Sequence, residues 1–132
     1  MSGYGEGSAA GRGPGEGGAT WRPPAGGLTP DDVRSIQFGK APFGRRGYDE
    51  EQVDAFLDQV EEDLRARYAA GGGLVPVLLT GADVQDVAFR RAPWGRRGYN
   101  EEEVDSFLDE VQRTVVALDR ALAEHGIAVS KR

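Results

Sequence analysis

The sequence contains no cysteine, which excludes disulfides, thiolate metal sites and thiol nucleophiles. It has one histidine, His125, close to the C-terminal end. Metal sites and acid–base triads need several convergent groups, so a lone histidine there reads as a helix-end surface residue. No apolar run approaches the ~20 residues of a spanning helix; the longest covers residues 74–79. The first residues are glycine-rich rather than basic and then apolar, so no signal peptide is expected and the cytoplasm is the expected compartment. Lys and Arg (16) are outnumbered by Asp and Glu (22), and the net charge of −6 argues against nucleic acid as a partner. No catalytic constellation is visible, so the chain is expected to be no enzyme and to take no cofactor, metal or small-molecule substrate.

Glycine is abundant, at 20 of 132 residues, but unevenly spread. Residues 1–27 hold ten of them, with Pro14, Pro23 and Pro24 and almost no aliphatic side chains. Such a stretch buries too little apolar surface to offset its ordering entropy and is expected to be a disordered tail. The foldable part is residues 28–129. A core of that size is marginal alone, so pairing with itself or a partner is expected.

That part repeats itself. Residues 38–60 read FGKAPFGRRGYDEEQVDAFLDQV and residues 89–111 read FRRAPWGRRGYNEEEVDSFLDEV, an offset of 51. Extended back to Leu28 and Leu79, 20 of 33 aligned positions are identical. Each copy divides into a short helix, a loop and a longer helix. Thr29 caps the first short helix, with Pro30 at its first position and Asp32 three residues after the cap; Thr80 and Asp83 repeat the pattern. Loops rich in Gly, Pro and Arg follow at residues 39–47 and 90–98. Asp49 and Asn100 then cap the long helices, with Gln52 and Glu103 three residues on in capping-box spacing. The expected organisation is a tail at 1–27, a first module at 28–70, a linker at 71–79 and a second module at 80–129.

Each long helix has one apolar face, drawn as the pairing face. In the first copy it is Val53, Phe56, Leu57, Val60 and Leu64. In the second, Val104, Leu108, Val111, Val115, Leu118 and Leu122 step by alternating fours and threes, a heptad seam that Phe107 widens. The acidic residues of the other faces, such as Asp54, Asp58, Glu61 and Glu62, read as solvated. The expected fold is therefore all-α, with two short-helix, loop, long-helix modules pairing as a coiled-coil-like dimer or pseudo-dimer. Parallel pairing within the chain needs residues 71–79 to return along a first helix about 31 Å long, and nine extended residues span at most about 30 Å. An antiparallel hairpin and pairing between two chains are the other arrangements.

The motif F-x-K/R-A-P-aromatic-G-R-R-G-Y-D/N-E-E-x-V-D-x-F-L-D-x-V resembles the N-terminal domain of the DivIVA family, in its actinobacterial form. The likeness is carried by residues 29–33, Phe38, Lys40, residues 45–48, Val53, Asp54, Phe56 and Leu57. It is carried again by Phe89, Arg91, residues 96–99, Val104, Asp105, Phe107 and Leu108. The resemblance implies a parallel coiled-coil dimer whose loops cross at one end and set aromatic and basic side chains against the inner membrane leaflet. It also implies a place at cell poles or division sites and association with itself or another DivIVA-type protein. Two features depart from the family pattern. There are two units here with no long coil after them, and the aromatics Phe43 and Trp94 stand two residues ahead of the position directly before Arg-Gly-Tyr.

The loops invite attention without the family. Lys40, Arg45 and Arg46 make the first a basic island, as Arg90, Arg91, Arg96 and Arg97 do the second. Phe43 and Trp94 sit between proline and glycine, on turns. An aromatic wedge flanked by arginines suits an anionic membrane surface. The alternative is that the aromatics fold back into the core while the arginines pair with carboxylates; the resemblance favours the membrane. Phe38, Tyr48, Phe89 and Tyr99 are expected to close the loop base, with Gly47 and Gly98 supplying positive φ. Gly39 and Gly44 have phosphate-loop spacing, but Arg45-Arg46 replaces Lys-Ser/Thr and Gly39 becomes Arg90, so nucleotide binding is rejected. Two functions remain: a division- or polar-growth protein peripheral to the inner face of the membrane, or a soluble module that pairs with a full-length DivIVA protein without touching lipid.

Overall fold

The computed structural model describes residues 21–132. The elements run α1 (Pro30–Ser35), α2 (Glu50–Tyr68), β1 (Leu74–Val77), α3 (Gly81–Asp86), α4 (Glu101–Glu124) and β2 (Ala128–Lys131). The all-α expectation is corrected by the strands. β1 and β2 pair in parallel, with Leu74 opposite Ala128 and Val77 opposite Lys131. A strand follows each long helix because Val75 and Val77 alternate inward, where they meet Leu122 and Ile127 in a small second core. Residues 128–131 carry too short a signal for this pairing to be read from them alone.

The short helices form as their caps dictate. Thr29 and Thr80 each complete a capping box with Asp32 and Asp83. The long helices differ. Asp49 accepts from the Glu51 and Gln52 amides, and Asn100 from the Glu103 amide. The second bond of each expected box is redirected to the other half of the chain. Gln52 Oε1 accepts from the Arg90 N–H at 2.7 Å, and Glu103 Oε1 accepts from the Gly39 N–H at 2.7 Å. The cap amides cross over likewise, Asp49 N–H to the Arg90 carbonyl and Asn100 N–H to the Gly39 carbonyl, both at 2.9 Å.

The two halves share one core. It contains Val53, Leu57, Val60 and Leu64 of α2 with Val104, Phe107, Leu108, Val111, Val115 and Leu118 of α4, while Phe56 packs half-buried at its edge. Leu122 belongs to the second core. The side chains drawn as the pairing face thus lie inside the protein, against one another. Phe38 packs on Tyr99 and Phe107, and Phe89 on Tyr48 and Phe56, so each loop base is closed by the opposite half.

The chain returns along α2 differently from the expected connector. Residues 71–79 cover only its last turns, where the Leu78 and Leu79 amides donate to the Asp63 carboxylate at 2.8 and 2.6 Å. α3 and the following extended residues carry the chain the rest of the way, to the bond between Asp49 and Arg90. Asp63 is buried, and so is Arg67, whose Nε donates to Asp119 of α4 at 2.6 Å. For the expected tail, residues 1–20 lie outside the described residues. Residues 21–27 correct it in part, because Trp21 docks on the fold. Its indole N–H donates to the Arg67 carbonyl at 2.8 Å, and its ring stands edge-on to His125.

Candidate functional site: the crossed-loop end

Both long helices start at the place where the two loops cross. Short antiparallel bridges join Lys40 to Tyr99, Tyr48 to Arg91 and Tyr48 to Tyr99. Ala41 N–H donates to the Gly98 carbonyl and Ala92 N–H to the Gly47 carbonyl, at 2.8 and 2.9 Å. This crossing explains the glycines, though only in part as expected. Gly47 has a φ of +74°, and a Cβ there would also press on the Tyr99 carbonyl. Gly98 is not among the positive-φ residues. It is required because its α-carbon lies against the Tyr48 carbonyl, leaving no room for a side chain.

Two phenols tie the crossing to the helices. Tyr48 Oη donates to Asp105 at 2.9 Å and Tyr99 Oη to Asp54 at 2.8 Å. Burial, then the bond to a carboxylate that a phenolate would repel, pushes both tyrosines up to about 12. Asp54, which sequence alone places on a solvated face, and Asp105 are thus acceptors that join the halves.

Beyond the crossing each loop projects a turn. Arg45 N–H bonds the Pro42 carbonyl and Arg96 N–H the Pro93 carbonyl, with Gly44 and Gly95 at φ of +91° and +88° in the third position. Phe43 and Trp94 occupy the second positions and are 95% and 82% exposed. They do not fold back into the core. They are large aromatic rings left in solvent at one end of the molecule.

The nine loop residues singled out from sequence separate into three groups. Lys40 pairs with Glu50, Arg91 with Glu101 and Arg90 with Asp49, all at the starts of the long helices. The Arg90 guanidinium holds the Asp49 carboxyl below the usual carboxylate range. Arg46 and Arg97 brace the crossing, each Nε donating to a carbonyl of the other loop, Ala92 at 2.8 Å and Ala41 at 2.9 Å. The Arg46 guanidinium also lies 4.3 Å from the centroid of the Trp94 ring. Arg45 and Arg96, next to the tips, are exposed and make no side-chain hydrogen bond or ion pair among the described residues. The outermost groups are therefore Phe43, Trp94, Arg45 and Arg96. Among the described residues no cluster of three or more His, Asp or Glu side chains could hold a metal ion, and no helix is long and apolar enough to cross a membrane.

The DivIVA protein family model matches residues 28–71. The cell wall synthesis protein Wag31 of Mycobacterium tuberculosis (strain CDC 1551 / Oshkosh) is 60% identical to this chain over 37 residues. Wag31 of Mycobacterium leprae and of Mycolicibacterium smegmatis show the same identity over the same length. The matched segment is 28% of this chain and 14% of each relative, so the chain spans about a seventh of the length of the relatives it matches. No solved structure matches. Residues 28–71, which hold α1, the first loop and all of α2, are thus similar to DivIVA proteins.

Proposed function

We propose that the chain is a tandem DivIVA-type protein, built as a single-chain pseudo-dimer, that associates peripherally with the inner face of the cell membrane in cell division or polar growth. The observation that carries this reading is the tip itself: Phe43 and Trp94 in solvent on matching turns at one end, each next to an exposed arginine, Arg45 or Arg96. Phe43 and Trp94 bury little surface within the fold, whereas a bilayer interface accepts the rings at headgroup level and the guanidinium groups at lipid phosphate. The similarity to Wag31, named for cell wall synthesis, supports the cellular role. The reading as a lipid-independent partner of full-length DivIVA is the weaker one, because the face it would use is already buried between α2 and α4.

Flotation with anionic liposomes tests the proposal. The wild-type chain should float, and Phe43→Ala with Trp94→Ala should remain at the bottom with unchanged helicity. Replacing Arg45 and Arg96 by Gln should weaken binding by on the order of tenfold or more, at about 1 kcal/mol per basic residue, and high salt should remove that difference. Flotation of the double aromatic variant equal to that of the wild type would refute the wedge assignment.

A further inference from the structure

Many contacts between the halves occur twice, related by the offset of 51 residues. Tyr48–Asp105 is repeated by Tyr99–Asp54, and the Gln52 bond to Arg90 by the Glu103 bond to Gly39. The Leu79 amide on Asp63 is repeated by the Leu28 amide on the Thr114 hydroxyl. Contacts that come in such pairs favour two halves of this kind without deciding which two.

Among the contacts without a counterpart are two ion pairs that have one buried or nearly buried member; a third, Arg132 with Glu62, is exposed on both sides. Arg67, with no exposed side-chain surface, donates through Nε and Nη2 to the two carboxylate oxygens of Asp119, at 2.6 and 3.3 Å. At the offset positions stand Leu118 and Tyr68. Arg90 pairs with Asp49 at 3.1 Å, and the offset positions are Gly39 and Asn100. From this asymmetry we infer that the first half is built to pair with the second half and not with another copy of itself, the choice being made by Arg67–Asp119 and Asp49–Arg90.

The cost of the alternatives follows from the same positions. Two first halves would bury two Arg67 side chains opposite Tyr68, with no carboxylate at the place of Asp119, and would leave both Asp49 groups opposite Gly39. Two second halves would set Asp119 against Leu118 and Arg90 against neutral Asn100. A buried Arg67 or Asp49 without its partner is an uncompensated charge, and a mispaired charge is an effective way of rejecting a wrong partner; Asp119 and Arg90, 32% and 66% exposed, weigh less against two second halves. The unlike pair alone satisfies all four groups. A chain that carries both halves therefore fills its own pairing face, and modules resembling either half alone are excluded from it.

The test uses the full chain cut in place. A protease site inserted between Gly71 and Gly72, in an exposed segment, allows the folded protein to be cleaved, unfolded in urea, renatured and examined by native mass spectrometry. The expected product is one complex containing one copy of each fragment. Like-with-like complexes in the proportions of random pairing would overturn the inference. In the cut chain carrying Arg67→Leu, Asp119→Tyr, Asp49→Asn and Arg90→Gly, which makes the halves alike at these positions, like pairs should appear. Their absence there would overturn the assignment to these residues. If cut fragments fail to renature, the intact chain gives the answer by thermal unfolding. Asp119→Tyr alone should lower the midpoint, and adding Arg67→Leu should restore much of the loss, whereas additive losses would contradict the pairing.

Discussion

Tyr48 and Tyr99 each set a phenol on a carboxylate of the opposite half, and the arrangement works only while the phenol keeps its proton. With both groups pushed up to about 12 from an ordinary 10, their contribution to stability is fully present below pH 10 and is lost as the pH rises through 12. An ultraviolet phenolate titration should therefore show a late component that disappears in Tyr48→Phe with Tyr99→Phe. That variant should also lose the steep fall in thermal midpoint above pH 10. The glycines separate two constraints. Gly98→Ala drives a methyl into the Tyr48 carbonyl and should cost about 3 kcal/mol, the upper range for overpacking. Gly44→Ala, in open space but at positive φ, should cost about 1 kcal/mol in urea unfolding. The sequence marks Gly47 and Gly98 alike; the fold tells them apart, since Gly47 takes a positive φ and Gly98 is required only by the close approach of the other loop. The loop arginines are equally alike in sequence, and what sorts them is which carbonyl or carboxylate the fold brings within reach.

At the scale of elements, the periodicity of α2 and α4 was readable because burial falls on a regular helical stripe, and the twelve side chains of that stripe are buried or half-buried in the fold. The caps at Asp49 and Asn100 were readable too, since they act on amides two or three residues away. The partners of Gln52 and Glu103 were not. A capping-box residue and a cross-half acceptor have the same sequence signature, and the choice depends on a backbone that arrives from the other half. Asp63 and Arg67 were hidden for a related reason, because charges on an acid-rich helix look solvated until a returning strand covers them. Trp21 was hidden by its neighbours, as glycine and proline around it suggest a chain without a core. Trp21→Ala should remove both its bond to Arg67 and its cover over the second core, costing about 2 kcal/mol, less than for a fully buried aromatic. Truncation after Gly126 removes Ile127 and β2 and leaves Val75 and Val77 without their cover. It should lower the unfolding midpoint while leaving the helical signal at low temperature largely intact.

For the whole molecule, membrane contact through both tips requires the two halves to meet in parallel, so that both turns point from the same end. The repeat predicts a matched pair of modules, but a repeat is equally compatible with a hairpin or with pairing between chains. The length of the connector between them misleads, because α3 and its loop share the return journey. Phe43 and Trp94 are the groups whose separation distinguishes these arrangements, and the chain has no cysteine to interfere with labelling. Spin labels on Phe43→Cys with Trp94→Cys, diluted in excess unlabelled protein, report that separation within one molecule by pulsed dipolar spectroscopy. A single narrow distance distribution, clearly shorter than the ~29 Å length of the 19-residue α2, is the predicted result. A separation near that length or beyond it, or a dipolar signal that vanishes on dilution with unlabelled protein, would contradict it.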